Sequence, residues 1–165
     1  MLLSALLVAS TAAHAADPLP EITRAVASPQ AVGVVHTLRT IPEACARLEG
    51  QFSRDAAVPY KLAAVRTSER CAPRAKLVDA KTAKASMANG WLLNDVIRVP
   101  EAGCPARQAV VRVWRKDIKP VPPKLDAQGR SRIYLKDSMD AARAGDLKPI
   151  PVFATSMVLE GLACK

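Results

Sequence analysis

Alternation of hydrophobic and polar residues runs through much of the chain and predicts β-strands more often than helices. The clearest case is residues 44–53, where small or apolar side chains alternate with charged and amide ones. A period of two is typical of a half-buried antiparallel strand. Residues 60–67 alternate in the same way after a turn that ends in Pro59. We therefore expect a hairpin with the pairs Phe52–Tyr60, Gly50–Leu62 and Leu48–Ala64.

A second hairpin is predicted for residues 92–99 and 108–116, whose valines, isoleucine and tryptophan are typical of strands. The connecting residues 100–105 are rich in proline and glycine, which favour turns. Symmetric pairing about this loop gives one apolar face and one face that mixes a tryptophan with arginines. The predicted pairs are Ile97–Val111, Val99–Ala109, Val96–Arg112, Arg98–Val110 and Asn94–Trp114.

The remaining segments complete a β-dominated α+β fold with about seven mostly antiparallel strands. Further strands are predicted at residues 32–40, 132–136 and 152–160. Residues 73–89 are rich in alanine and lysine and end before Gly90, so a short helix is predicted there. A second short helix is predicted over residues 137–144, with Asp137 and Ser138 as its cap.

The N-terminal residues have the features of a secretory signal peptide. Residues 2–8 form an apolar core, and small residues at 13 and 15 suit cleavage after Ala15, although a basic start is lacking. Residues 16–30 contain three prolines and are predicted to be an extended lead-in. Residues 31–165 are predicted to be a single domain. No later apolar run reaches the roughly 18 residues of a membrane span, so a periplasmic or secreted protein is expected.

Four cysteines support the same compartment, because an even number in an exported chain favours two disulfides. They are Cys45, Cys71, Cys104 and Cys164. Three connectivities are possible. Pairing of Cys45 with Cys71, and hence of Cys104 with Cys164, is preferred, because Cys45 lies at the open end of the first predicted hairpin, a few residues from Cys71. No C-x-x-C pair is present, so neither a metal nor a cofactor is expected.

The chain is strongly basic, with a formal charge of +9. Such a surface attracts anionic partners, although a merely solvated surface is the alternative interpretation. Specific nucleic-acid binding is not expected, and an anionic envelope component or an acidic protein is the favoured partner. One candidate patch is the mixed face of the second hairpin, formed by Arg98, Arg112, Trp114 and Lys116. A second candidate patch comprises Arg74, Lys76, Lys81 and Lys84.

Sequence motifs of catalysis are missing from the chain. It has no G-x-S-x-G elbow, no H-E-x-x-H, no glycine-rich phosphate loop and no EF-hand loop, so no catalytic residue is assigned. The sequence predicts a monomeric, non-enzymatic binding or accessory protein of a bacterial envelope. Two alternatives remain: a secreted inhibitor that docks on another protein, and a small hydrolase that uses two carboxylates.

Overall fold

The computed structural model describes residues 18–117 and 151–164. Within these residues the chain forms seven β-strands and two short 3₁₀ turns, so the predicted β-dominated fold with mostly antiparallel strands is confirmed. The 3₁₀ turns are Pro42–Ala44 and Met87–Asn89. The strands are β1 (His36–Ile41), β2 (Ala46–Phe52), β3 (Tyr60–Arg66), β4 (Lys76–Asp79), β5 (Leu92–Glu101), β6 (Cys104–Asp117) and β7 (Pro151–Gly161).

The first sheet is antiparallel and has the strand order β1-β2-β3. The register predicted for its central hairpin is confirmed, with Phe52 opposite Tyr60, Gly50 opposite Leu62 and Leu48 opposite Ala64. The alternation of residues in β2 determines this register, because Leu48, Gly50 and Phe52 are buried while the residues between them are only partly buried. A shift by one residue would turn these apolar side chains toward solvent.

The second sheet has the strand order β4-β7-β6-β5 and contains the second predicted hairpin. The four predicted pairs on its loop side, from Val96–Arg112 to Val99–Ala109, are confirmed. The predicted pair Asn94–Trp114 is wrong, because a β-bulge between Leu93 and Asp95 makes Leu93 the partner of Trp114. A bulge adds one residue to one strand and so shifts the pairing beyond it. Symmetric pairing about the loop assumes equal numbers of residues in both strands, so it could not predict this shift.

The helix predicted over residues 73–89 is wrong. Strand β4 lies there instead and pairs in parallel with β7, with Leu77 opposite Phe153. Packing of the half-buried Leu77 against the core outweighs the helical preference of the neighbouring alanines and lysines. Lys84 also has a positive φ of 50°, which ends any helical path. The strand predicted at residues 132–136 and the helix predicted at 137–144 lie outside the described residues.

The two sheets pack face to face around one apolar core. Leu48, Phe52 and Tyr60 of the smaller sheet meet Val99, Val111 and Phe153 of the larger one. A smaller cluster covers part of the outer face of the larger sheet, where the chain before β5 folds back over β6. Its buried members are Ala80, Trp91, Leu93, Trp114 and Ala154.

Residues 18–30 lie extended along the outer edge of β5. Their backbone N–H groups donate to carbonyls of that strand, from Glu21 to Leu93 and from Ala27 to Arg98, both at 2.9 Å. The lead-in therefore covers the edge of β5, which would otherwise be open. The division into signal peptide, lead-in and domain stays a prediction.

Both predicted disulfides are confirmed, Cys45–Cys71 and Cys104–Cys164. The first joins the start of β2 to the loop after β3, and the second joins the start of β6 to the chain after β7. None of the helical turns in residues 18–117 and 151–164 is long and apolar enough to cross a membrane.

Candidate functional site

A groove of about 1010 Å³ lies between the two sheets, on the side where β3 and β4 are the outermost strands. Its walls are largely apolar: Leu48 and Leu62 line it from the smaller sheet, and Leu77 and Met157 line it from the larger one. On the opposite side of the molecule the lead-in covers the edge of β5. Among residues 18–117 and 151–164, no strand pairs with the outer edge of β3 or of β4, so both sheets present an edge strand at this groove.

Basic side chains stand at the rim of this groove. Lys61 of β3 and Lys76 of β4 line it and are exposed. Within the described part of the chain, neither lysine has a side-chain hydrogen bond or an ion pair. Their charges are therefore available to an incoming anion.

Arg66 lines one end of the groove and binds the loop there. Its guanidinium donates to the carbonyls of Ser68, Glu69 and Cys71 at 2.9, 3.1 and 2.9 Å, and so fixes the loop after β3. Carbonyl acceptors do not neutralise its charge. The end of the groove therefore combines a positive charge with a loop that the disulfide to Cys45 also restrains.

Asp79 is the single carboxylate among the described residues that line the groove. It accepts a hydrogen bond from the backbone N–H of Thr82 at 2.9 Å. This bond is the main reason why the pKa of Asp79 lies below its ordinary value. Asp79 is therefore ionised at neutral pH and occupied in capping the turn after β4.

The second predicted patch is distributed along this side of the molecule. Lys76 lines the groove, Arg74 precedes β4, and Lys81 and Lys84 follow it in the next turn. All four side chains are exposed. That these residues bind an anion stays a prediction, and the groove adds Lys61, which the sequence argument did not single out.

The first predicted patch lies on the outer face of the larger sheet, and a glutamate stands between its arginines. Glu160 of β7 is 3.0 Å from the guanidinium of Arg98 and 3.3 Å from that of Arg112. The position of this carboxylate does not follow from the hairpin pattern, because it depends on the pairing of β6 with β7 across a long connection. Binding of an anion by this patch stays a prediction, and any such anion would compete with Glu160.

Trp114 and Lys116 are also engaged within the fold. Only 9% of Trp114 is exposed, and it packs with Trp91 and Leu93. The ammonium of Lys116 donates to the carbonyl of Asn89 at 2.8 Å and lies 5.8 Å from the centroid of the Trp91 ring. Lys116 therefore makes a cation–π contact with Trp91 and is held at the surface of this cluster.

Two further polar contacts join separate elements of the fold, one at the buried Asp95 and one at the half-buried His36. Asp95 is fully buried and binds Arg24 of the lead-in at 2.8 Å and Arg39 of β1 at 3.2 Å. His36 binds the hydroxyl of Tyr60 at 2.8 Å. The sequence did carry a signal for the Asp95 site, because a charged residue interrupts an otherwise apolar strand there.

No family model, no curated protein and no solved structure matches this chain significantly. Among residues 18–117 and 151–164, no group of three or more His, Cys, Asp or Glu side chains could hold a metal ion.

Proposed function

We propose that this chain is an exported, non-enzymatic binding protein that holds an acidic segment of a partner protein in the groove between β3 and β4. The observation that carries the proposal is an apolar groove whose rim bears two uncompensated lysines, Lys61 and Lys76. Apolar walls give affinity for side chains, and the lysines select the sign of the partner's charge. The net charge of +9 attracts the same partner over a longer range.

The arrangement of carboxylates favours binding over the alternative of a hydrolase. A glycosidase-type mechanism needs two carboxylates that face one substrate. The described lining of the groove has Asp79 alone, and Asp79 is occupied by Thr82. The other described carboxylates that take part in ion pairs do so with arginines: Glu21–Arg115, Glu49–Arg47, Asp95–Arg24, Glu101–Arg107 and Glu160–Arg98.

Two disulfides support the exported part of the proposal, because such bonds persist in oxidising compartments. N-terminal sequencing of protein recovered from the periplasm or the medium tests this part directly. We expect the mature chain to begin at Ala16. Full-length chain retained in the cytoplasm with reduced thiols would contradict it.

Binding of defined peptides tests the groove. The probe is a peptide of alternating glutamate and valine, with a peptide of alternating lysine and valine as its counterpart. Fluorescence anisotropy should detect binding of the acidic peptide that weakens as salt rises, because exposed charges are screened over about 10 Å at roughly 0.1 M salt. Little binding of the basic counterpart is expected.

A matched pair of variants locates the binding. Lys61→Glu with Lys76→Glu should abolish binding of the acidic peptide. Arg54→Glu with Arg70→Glu changes the net charge equally at two exposed positions outside the described lining and should leave most of the binding. Equal losses in both double variants would mean that only the overall charge matters, and the proposed function would then be wrong.

A further inference from the structure

We infer that the partner segment binds as an additional β-strand along the free edge of β3. This inference rests on the proposed function and specifies how the groove holds its occupant. The strand runs over Tyr60–Arg66, and it is the last strand of its sheet within the described part of the chain. An edge strand presents unpaired N–H and C=O groups, which is the basis of strand addition in peptide recognition.

The hydrogen bonds of the β2–β3 hairpin determine which backbone groups of β3 are free. The N–H of Ser53 donates to the carbonyl of Pro59, and the N–H of Thr67 donates to that of Cys45, each at 2.9 Å. In an antiparallel ladder, hydrogen-bonded pairs alternate with pairs that are not bonded to each other. Residues 59 and 67 are in hydrogen-bonded pairs with β2, and so are the odd-numbered residues between them. Leu62 and Ala64 are in the other kind of pair. Their N–H and C=O groups therefore point away from β2, toward the groove side.

The side chains at the same positions face the groove. Leu62 and Ala64 line it from β3, and Leu77 and Met157 line it from the other sheet. Alternate side chains of an added strand would enter this apolar space, since side chains on neighbouring strands share faces. The remaining side chains of the added strand would point outward beside Lys61. The occupant that fits is an extended segment in which apolar and acidic residues alternate.

Edge β3 suits this segment better than edge β4 does. Strand β4 has four residues, Lys76–Asp79, whereas β3 has seven. An acidic strand on β4 would also pass Asp79, and like charges side by side are destabilising. On β3 the nearest charged side chains are Lys61 and Arg66, both positive.

A second copy of this chain is a poorer occupant. Pairing of β3 with β3 would bring Lys61 and Arg66 of both copies to the same new sheet, and each chain carries a net charge of +9. Lysines on edge strands oppose self-association in this way. Charge complementarity thus favours an acidic partner protein.

Amide hydrogen exchange with the glutamate–valine peptide provides the test. In the free protein the N–H groups of Leu62 and Ala64 should exchange quickly, whereas those of Ala63 and Val65 are protected by β2. Bound peptide should protect Leu62 and Ala64 selectively. Ala64→Pro removes one outward N–H and leaves the bonds to β2, so it should weaken binding about tenfold, while Ala64→Ser, which keeps the N–H, should change it little.

Peptide binding and amide protection together separate strand addition from the proposed function. Peptide binding without protection of Leu62 and Ala64 overturns strand addition but leaves the proposed function intact. Absence of any binding of the acidic peptide overturns both. Protection of the two amides in a dimer of the protein alone, with exclusion of the peptide, would make a second copy the occupant and would overturn the inference. The exchange measurement on wild-type protein decides among these even if Ala64→Pro fails to fold.

Discussion

The hydroxyl of Tyr60 on β3 lies 2.8 Å from Nε2 of His36 on β1, although β2 runs between their two strands. They meet because Gly50 of β2, which has no side chain, stands opposite His36 on one side and Leu62 on the other. A Cβ atom at Gly50 would overlap the Tyr60 ring and its hydroxyl. The absence of a side chain at one position thus allows a hydrogen bond across three strands.

Gly50→Ala should destabilise the protein. The added methyl group must displace Tyr60 in a packed core, and overpacking of this kind costs about 1–3 kcal/mol. Gly103→Ala is the control, since a Cβ there has no heavy atom within 4 Å. Urea unfolding measures both, and Tyr60→Phe should recover part of the loss in a Gly50→Ala background. Equal free energies of unfolding for Gly50→Ala and wild type would contradict this packing.

The same histidine predicts a pH dependence of stability. His36 Nδ1 lies 3.3 Å from the carbonyl of Val34, so Nδ1 carries the proton and Nε2 accepts from Tyr60. Burial lowers the pKa of His36 below its ordinary 6.5, and it raises the pKa of Tyr60. The unfolded chain therefore binds a proton at a higher pH than the folded chain does. This contribution to stability is present above pH 6.5 and is lost as the pH falls through the lower pKa of the folded state.

Urea midpoints between about pH 7.5 and 5.5 check this, because ordinary carboxyl groups stay ionised in that range. The wild-type midpoint should fall as the solution becomes more acidic. His36→Gln should lose this dependence. A wild-type midpoint that rises on acidification would contradict the assignment.

Sequence reasoning succeeded where neighbouring strands determine each other. The pair Phe52–Tyr60 follows from two alternating segments and a short turn, so local information was sufficient. The pairing of Leu77 with Phe153 joins residues far apart in the chain, and β4 is too short to show a period. The groove depends on this distant pairing, which is why Lys76 was proposed as part of a helix and Lys61 was not proposed at all.

Asp95 should be among the most sensitive positions in the chain. Its carboxylate is fully buried and binds Arg24 and Arg39, so Asp95→Asn leaves two guanidinium groups without their anion. Loss of one partner from a buried ion pair costs about 3–5 kcal/mol. Arg24→Gln is the milder control, because 38% of that side chain is exposed and exposed ion pairs contribute about 1 kcal/mol or less.

Unfolding free energies separate the two variants, and amide exchange locates the effect. Asp95→Asn should accelerate exchange at Glu21 and Ile22, whose N–H groups bind the carbonyls of Leu93 and Asn94. Similar small costs for both substitutions would show that the buried carboxylate does not anchor the lead-in.

The two disulfides should differ in their contribution to stability. They span 26 and 60 positions, and in the chain-entropy model a longer closed loop restrains the unfolded chain more. Replacing Cys45 and Cys71 by alanine should cost about 3.5 kcal/mol, and replacing Cys104 and Cys164 about 4 kcal/mol. Denaturant unfolding of the two double variants measures these costs. A cost near zero for either pair would contradict its structural role.

The most direct test of the binding groove is a reversal of charge on both sides of the proposed interface. Dissociation constants are measured for wild-type protein and for Lys61→Glu with Lys76→Glu, each against the glutamate–valine and the lysine–valine peptide. Wild type should prefer the acidic peptide, and the variant should prefer the basic one. If the variant still prefers the acidic peptide, with its fold intact, the groove between β3 and β4 is not where this protein binds its partner.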